Sequence, residues 1–435
     1  MARRQPIEVR RSLQHLLPAR RIRECARAAR AFVRHRKVDP AALVWAVLLG
    51  FTVGNERTLA GLRRAFEKAT GTTLVASAFY ARLSPPLAKL FKHLLRDTID
   101  RMAATAMGIP TEAVAGFRDV LMSDSTVIRL HRLLERAFPA CRTNHTKAAL
   151  KAHVILSVTG RGPASLRVTS ERVHDGPVLR AGGWVKDRLL LFDLGYYRFQ
   201  LFACIDRQGG YFLTRLKEGA NPLITAAHRV WRGRSIQLVG QRLQDVVARL
   251  TREEIDVEVE LRFRRRGYRG RQSGATYRCR LVGVRDTKTG TYHFYLTNIP
   301  SERLGAQDVA ATYGARWLIE LAFRQLKSHY RLDQIPSRKR HIVEILLYAA
   351  FLTMFVSREL LAHIRSRLGP HTRVPDDRWA ALFAAVAQEL LTLVVRTAAV
   401  ARLLSPPVEA FLMREAPDPN RSRRLLEQRA LRAAC

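Results

Sequence analysis

Three carboxylates, Asp124, Asp193 and Glu320, have the side-chain type and the sequence settings of a site for divalent cations. Asp124 follows the strand-like run 120–123, and Asp193 follows the apolar run 189–192. A carboxylate at the end of a buried strand costs free energy unless a cation meets it. Neighbouring strand ends can place two such groups around one ion that prefers oxygen ligands. Because a turn or N-cap role would explain either aspartate alone, the interpretation depends on the third carboxylate.

Glu320 lies in a segment that is predicted as one long helix, residues 306–330. At about 100° per residue, Tyr313, Arg316, Glu320 and Lys327 fall within about 60° of one helix face. Arginine and lysine are permanent cations for backbone phosphates, tyrosine offers a hydroxyl and a ring, and glutamate is an oxygen ligand. This combination is typical of a phosphoryl-transfer site. A helix surface that is salt-bridged to itself would leave the two aspartates unexplained.

The net charge indicates an anionic partner. The chain has 75 Lys+Arg against 37 Asp+Glu, a formal charge of +38, and folding does not require so large an excess. Nucleic acid, an anionic membrane surface or an acidic protein could each bind it. Nucleic acid is favoured because most of the excess is arginine, whose planar guanidinium binds phosphate oxygens. With 47% hydrophobic residues in periodic segments, the chain is expected to be globular.

Cysteines and apolar runs favour a cytoplasmic protein that does not enter a membrane. The five cysteines are scattered singly, with no spacing that suits zinc, which fits a reducing compartment. No apolar signal segment follows the N-terminal arginines, and the longest apolar runs, 41–53 and 345–356, are too short to span a bilayer. Export and membrane insertion are therefore not expected.

Periodicity predicts a mixed sheet flanked by helices, with helical regions at both ends of the chain. Strands are predicted at residues 117–123, 148–159, 165–170, 189–192, 211–216, 255–263, 277–284 and 292–297, and helical segments near 176–186 and 197–207. The predicted domains are a helical basic DNA-binding domain (1–105), a catalytic core (106–217), a β-rich insertion (218–299), the second part of the core with the glutamate helix (300–335), and a helical C-terminal region with a basic tail (336–435).

Further residues outside the trio could contact DNA. Arg215 follows the predicted strand after Asp193 and could reach a phosphate, although a solvated edge arginine explains it nearly as well. Arg265 and Arg266 belong to a hairpin in which arginine alternates with aromatic and glycine residues, as in nucleic-acid contacts; a flexible charged loop is the alternative. His153 is interpreted as a core or rim histidine rather than a ligand.

Aromatic residues divide into two groups. Trp231, Tyr268 and Tyr292 lie in the predicted insertion and are candidates for the aromatic platform that base-flipping members of the family named below need. Trp45, Trp184 and Trp317 are interpreted as core residues.

The motifs together resemble a known family. The string from Tyr313 through Arg316 to Glu320, with Lys327 seven residues later, is similar to the Tyr-x2-Arg-x3-Glu-x6-Lys signature of bacterial insertion-sequence DDE transposases, in the branch called insertion-sequence family four. The sequences that begin Asp124-Ser-Thr and Asp193-Leu-Gly-Tyr-Tyr resemble the two aspartate motifs of that family. The likeness extends over about residues 110–350.

The resemblance implies an α/β fold with a ribonuclease-H-like catalytic core, interrupted by a β-rich insertion. It implies that Asp124, Asp193 and Glu320 bind two Mg2+ ions, with Mn2+ able to substitute, for hydrolysis and strand transfer. Tyr313, Arg316 and Lys327 would contact DNA. The expected partners are double-stranded DNA, both element ends and target, and a second copy of the chain in a homodimer on paired ends. The expected location is the cytoplasm, in association with the nucleoid.

Two alternatives stay open. A related ribonuclease-H-like nuclease would cleave DNA without joining it, and a DNA-binding protein could have lost catalysis. The intact trio of carboxylates argues against the second. Because the N-terminal region carries dense arginine and none of the three carboxylates, recognition and catalysis are expected to be separable, and a chain that starts near residue 106 is expected to keep a folded core.

Overall fold

The computed structural model describes residues 8–32, 38–54, 57–99, 114–143, 146–157, 165–227, 237–264, 274–333, 335, 337–369 and 372–420. The chain forms two compact units. The first comprises Met1–Met102, Ile128–Ala149 and Phe323–Cys435, and the second comprises Ala103–Val127 and Leu150–Ala322.

The first unit is mainly helical, as predicted for the two ends of the chain. Its N-terminal helices are α1 (Glu8–Leu16), α2 (Ala19–Ala28), α3 (Pro40–Trp45) with a π-helical continuation (Ala46–Thr52), α4 (Leu59–Thr70), α5 (Ala76–Tyr80) and α6 (Pro85–Ile99). Side chains cap two of them: Asp39 accepts a hydrogen bond from the Ala42 N–H before α3, and Thr58 accepts one from the Gly61 N–H before α4. Helix boundaries in this unit therefore follow ordinary capping chemistry.

Helix α11 (Arg340–Leu368) is the central helix of the first unit. It packs against α1, α6 and the π-helical segment. Its Thr353 hydroxyl donates to the carbonyl of Ala349 at 2.8 Å and lies 3.2 Å from the carbonyl of Leu48. On another side of the π-helical segment, Gly50 permits close packing against α4, since a Cβ there would lie 2.8 Å from the Cβ of Ala65. The remaining C-terminal helices are α12 (Asp376–Ala385), α13 (Ala387–Val395) and α14 (Ala398–Glu415).

The apolar run 345–356 belongs to a longer apolar helix than the sequence indicated. By length and composition alone, the 29-residue α11 could cross a membrane, and the bent pair α12 and α13 passes the same test together. However, 83% of the most apolar window of α11 is buried inside the protein. The run 345–356 is thus part of a longer apolar helix, and the burial of that helix is typical of the core of a protein.

The strands form one large mixed sheet flanked by helices, as predicted. The strands of the described residues are β1 (Asp119–Leu130), β2 (Pro139–Thr143), β3 (Thr146–Ser157), β4 (Ser165–Ser170), β5 (Arg188–Phe192), β6 (Tyr211–Arg215), β7 (Leu223–Ala227), β8 (Glu254–Arg264), β9 (Gly274–Arg285) and β10 (Tyr292–Thr297). Their order is β2-β3-β1-β5-β6-β10-β9-β8-β7, and β4 pairs with β3. The neighbours β1, β5 and β6 are parallel, whereas β6, β10, β9, β8 and β7 pair antiparallel.

The core of the second unit is continuous from the parallel strands to β7, β8 and β9. Helix α7 (Phe199–Arg207) packs on β6, and its Phe202 stacks on Phe212 at a centroid distance of 4.6 Å. Phe192 also stacks on Phe202, at a centroid distance of 5.7 Å. The segment predicted as an inserted β module thus supplies strands that extend the central sheet, because β10 pairs directly with β6. A short helix, α8 (Leu243–Val247), lies between β7 and β8.

Three local predictions need correction. The segment 176–186 contains only a 3-10 turn, Gly183–Val185, because glycines and a proline interrupt it. The strands β2 and β7 were not predicted. The predicted helix 306–330 is two helices, α9 (Ala306–Gly314) and α10 (Trp317–Ser328).

The break between α9 and α10 has a backbone cause. The N–H groups of Ala315 and Arg316 donate to the carbonyls of Thr312 and Tyr313, three residues back, and Ile319 donates to the carbonyl of Arg316 in the same way. These tighter turns replace the four-residue ladder of an α-helix. The calculation that placed Tyr313 and Glu320 on one continuous helix face therefore does not apply across the junction.

Candidate active site

The parallel register of β1 and β5 brings Asp124 and Asp193 side by side. The two strands pair from Asp119 with Arg188 to Ser123 with Phe192, and each aspartate is the next residue. Residues 119–123 and 188–192 are all buried, which fixes the register. Adjacent strands lie about 4.8 Å apart, so both carboxylates emerge at the same edge of the paired strands.

The two aspartates have different backbone settings. Asp193 ends β5 as predicted and begins a 3-10 turn, Leu194–Tyr196. Asp124 does not end its strand, because β1 continues to Leu130; only the pairing with β5 stops there. The Oδ1 atom of Asp124 accepts a hydrogen bond from the Ser125 N–H at 2.7 Å.

Electrostatics connect Asp124 with the other predicted site residues. The pKa of Asp124 is raised to about 6, mainly by burial and also by the negative charges of Asp193 and Glu320, while the Ser125 N–H and the Arg316 guanidinium oppose the rise. The three carboxylates and Arg316 therefore share one electrostatic environment. Such a perturbed carboxyl group, with several charged neighbours, is typical of functional sites.

Glu320 and Arg316 form an ion pair across the start of α10. The Nη1 atom of Arg316 lies 2.6 Å from Oε1 of Glu320, and the arginine side chain is only 15% exposed. The guanidinium also lies 5.6 Å from the ring centroid of Tyr313, which in turn packs against Tyr295 at 5.2 Å. Burial lowers the pKa of Arg316, but the neighbouring Tyr313, Glu320 and Asp193 outweigh it and raise the pKa overall. Tyr313, Arg316 and Glu320 thus meet despite the helix break.

The three carboxylates are oxygen donors of the kind that divalent metal ions bind, but their positions do not form a complete coordination site. Among the residues that the structure describes, no three His, Cys, Asp or Glu side chains are grouped so that they could hold a metal ion. The Glu320 carboxylate is instead paired with Arg316. Asp193 and Glu320, whose negative charges raise the pKa of Asp124, carry carboxylate oxygens, and these are the ligands that Mg2+ prefers. Asp124, Asp193 and Glu320 fit such an ion if Glu320 leaves Arg316 and binds the ion instead.

The other predicted DNA contacts have different settings. Lys327 is half-buried near the end of α10, seven residues or about 10 Å beyond Glu320 on the same helix. Arg215 ends β6 with an exposed side chain, whose Nη2 lies 3.3 Å from Nδ1 of His293. Arg265 and Arg266 lie outside the described residues, in the connection between β8 and β9.

The aromatic predictions have mixed outcomes. Trp45 is buried in the first unit as predicted, and Trp184 is partly buried against the core of the second unit. The assignment of Trp317 to the core is wrong, because this side chain is 55% exposed at the start of α10. Tyr292 stacks on Phe294, and its hydroxyl donates to the carbonyl of Arg252. Trp231 and Tyr268 lie outside the described residues.

The sequence interpretation missed Asp175, which lies beside the two aspartates. Its carboxylate contacts Lys151 and His153 of β3, and the Ser125 hydroxyl hydrogen-bonds to it. His153 is buried, as predicted, and its Nε2 lies 2.8 Å from the Thr169 hydroxyl. The only sequence signal for Asp175 is its position between two predicted strands, which many turn residues share.

Comparison with known proteins identifies a family. A family model described as a transposase DDE domain matches residues 115–356, a range that includes all three carboxylates. The transposase for insertion sequence element IS231F from Bacillus thuringiensis subsp. israelensis is 21% identical over 389 residues, which cover 82% of this chain and 80% of that protein. The transposase for insertion sequence element IS231E from Bacillus thuringiensis subsp. finitimus is 21% identical over 341 residues, covering 68% and 69%.

Proposed function

We propose, from the premise that this chain belongs to the DDE transposase family, that it is the transposase of a bacterial insertion sequence. The observation that carries the proposal is the parallel register of β1 and β5, which places Asp124 beside Asp193 within the residues that match the family model. The family implies an enzyme that cleaves DNA and transfers strands with a divalent metal ion. Assignment to insertion-sequence family four, a ribonuclease-H-like core and an insertion at 218–299 are part of the proposal.

Asp124, Asp193 and Glu320 are the proposed ligands of two Mg2+ ions, with Mn2+ able to substitute. When bound, these ions would stabilise charge on the attacking and leaving oxygens of phosphoryl transfer. The raised pKa of Asp124 favours this role, because a cation relieves the repulsion that raises it.

Arg316 has two successive partners in this proposal. Without DNA it neutralises Glu320 at 2.6 Å. When Glu320 becomes a ligand, the guanidinium is released for a DNA phosphate, which its planar fork fits. Tyr313 stays against the guanidinium and limits how far it can move. Lys327, on the same helix, is a proposed second phosphate contact.

The N-terminal helices are the proposed surface for recognising element ends, and part of their arginine cluster is also structural. Arg21 pairs with Asp97 at 2.7 Å and Arg23 pairs with Asp39 at 2.8 Å. Exposed arginines that can face DNA are Arg11, Arg20, Arg27 and Arg30.

Double-stranded DNA is the expected partner of a transposase. A homodimer on paired ends and a location in the cytoplasm at the nucleoid are proposed with it.

Strand transfer tests this function against the nuclease alternative. The full-length protein is incubated with a DNA fragment that ends in the inverted repeat beside its gene, carries a free 3'-hydroxyl, and is mixed with supercoiled plasmid and Mg2+. We expect joined products. Cleavage without joining would support the nuclease, and end binding with neither reaction would support the silent DNA-binding protein.

The matched controls are Asp124→Asn, Asp193→Asn and Glu320→Gln, which remove one carboxylate each and keep the side-chain size. Each should reduce cleavage to below about one hundredth of the wild-type rate, because loss of a ligand costs at least as much as loss of a residue that supports one. End binding should persist, since the basic surface is unchanged. Wild-type cleavage by one of these variants would remove that residue from the site.

A further inference from the structure

We propose that Asp175 is a positioning residue that holds Asp124 and Asp193 in register for metal binding. It is outside the predicted trio and lies in the connection between β4 and β5. The inference rests on the proposed function for the identity of the ion and of the reaction. Its structural basis is that the Asp175 carboxylate interacts with Ser125, the residue after Asp124, and lies close to Gly195, two residues after Asp193.

The contact toward Asp124 runs through Ser125. The Ser125 hydroxyl hydrogen-bonds to the Asp175 carboxylate, and the Ser125 N–H donates to Oδ1 of Asp124 at 2.7 Å. Ser125 therefore carries one hydrogen bond to each acid. A shift of Asp175 would move the N–H group that orients Asp124.

The contact toward Asp193 runs through Gly195, two residues later in the 3-10 turn. A Cβ at Gly195 would lie 3.1 Å from Oδ2 of Asp175, closer than a side chain normally permits. Glycine thus lets the turn approach the carboxylate directly. Tyr196, the next residue, is buried, and Asp175, Asp124 and Asp193 all raise its pKa in addition to the effect of burial.

Two basic residues of β3 anchor Asp175 from the opposite side. Lys151 Nζ lies 3.4 Å and His153 Nδ1 lies 3.2 Å from its Oδ1. Lys151 also donates to the carbonyl of Val173 at 3.1 Å, which fixes the chain two residues before Asp175. Although burial raises the pKa of Asp175, His153, Ser125 and Lys151 lower it overall. The carboxylate therefore stays ionised and keeps its partners.

The hydrogen bonds of His153 set its orientation. The Thr169 hydroxyl donates to the carbonyl of Ser170 at 3.0 Å, so its oxygen accepts the proton of His153 Nε2 at 2.8 Å. The other ring nitrogen, Nδ1, is then the atom directed at Asp175. The Nε2 hydrogen bond to Thr169 thus orients the imidazole and holds Nδ1 3.2 Å from Oδ1 of Asp175.

Ion binding by the full-length protein tests this role without DNA cleavage. The affinity for Mn2+ is measured by calorimetric titration of wild type, Asp175→Ala, Asp175→Asn and Ser125→Ala. Residues that orient metal ligands typically contribute about 10- to 100-fold to affinity. We expect Asp175→Ala to weaken Mn2+ binding by about tenfold, and Asp175→Asn and Ser125→Ala to weaken it less. Asp245→Asn, an exposed aspartate on α8, is the matched control and should bind as wild type does.

A second readout is the Mg2+ dependence of plasmid nicking. A positioning role predicts that Asp175→Ala needs more Mg2+ for half-maximal nicking and recovers much of the rate at saturating Mg2+. Wild-type Mn2+ affinity in a folded Asp175→Ala protein would overturn the proposal. If Asp175→Ala does not fold, unchanged affinity in both Asp175→Asn and Ser125→Ala would overturn it instead. If wild type binds Mn2+ and cuts no DNA, the proposed function fails, while the affinity comparison still tests Asp175.

Discussion

At Asp124, burial and repulsion from other carboxylates both raise the pKa. Ionisation of this side chain therefore destabilises the folded protein. The pKa of this group is raised to about 6 in the folded chain from its ordinary value of 3.8. A group with a raised folded pKa stabilises the fold most below its unfolded pKa, and that contribution is lost as pH rises through the folded pKa. Near pH 7.5 the metal-free protein is therefore less stable than it would be with a neutral residue.

Asp124→Asn should stabilise the metal-free protein while abolishing cleavage. Each unit of pKa shift corresponds to about 1.4 kcal/mol, so the gain in unfolding free energy at pH 7.5 should be about 3 kcal/mol. At pH 4 the gain should nearly vanish, since the wild-type aspartate is then protonated in the folded state. Urea unfolding of both proteins in EDTA at the two pH values measures this difference. An equal effect at both pH values would show that charge is not its cause.

At the scale of elements, the junction between α9 and α10 determines which side chains meet. Tyr313 lies in the last turn of one helix and Glu320 belongs to the next, with Arg316 between the two helices. The three-residue turns at Ala315 and Arg316 set the angle at which Glu320 approaches the paired aspartate strands. The Arg316–Glu320 ion pair, between residues four apart in sequence, still forms across this junction.

Arg316→Ala and Lys327→Ala should each reduce the salt dependence of DNA binding. If each residue contacts one phosphate, the slope of log affinity against log salt should fall by about one unit per substitution. Arg324→Ala is the matched control, because Arg324 is an exposed cation on the same helix. Competition binding between 50 and about 200 mM salt covers a suitable range. A wild-type slope and full cleavage in both variants would place this helix face away from DNA.

The sequence predicted the elements that follow local rules and missed those that depend on tertiary contacts. The β1 and β5 strands were predictable because continuous apolar runs are typical of buried parallel strands. The helix break was not, because apolar periodicity continues across Gly314–Arg316 and only the backbone hydrogen bonds reveal the turn. Likewise, the predicted trio of carboxylates could be found from motifs, whereas Asp175 depends on contacts with β3 and with Gly195 that no spacing reveals.

For the whole molecule, the N-terminal helices have a structural role as well as a basic surface. Helices α1 and α6 pack against α11, whose apolar side chains are almost all buried over residues 342–356. The sequence suggested that recognition and catalysis could be separated by truncation near residue 106. The packing in the first unit indicates that removing these helices uncovers α11.

A chain that starts near residue 106 should therefore be insoluble or aggregate, because truncation exposes the long apolar surface of α11 to water. Soluble yield, size-exclusion chromatography and circular dichroism measure this. The full-length protein carrying Arg11→Ala and Arg27→Ala is the control that removes exposed charge and keeps the packing. A soluble, folded truncation that still nicks plasmid at low salt would contradict this prediction. It would support the earlier expectation that recognition and catalysis can be separated by truncation.

The pairing of β10 with β6 also has a consequence for synthesis of the chain on the ribosome. β6 ends at Arg215, and its partner strand begins only at Tyr292. Until β10 emerges, one edge of β6 has unpaired backbone groups, and such an edge can recruit a strand from another chain. Products of premature termination in this interval would carry both aspartates without Glu320. Such products would lack one of the proposed metal ligands, and their unpaired strand edge would make them prone to aggregate.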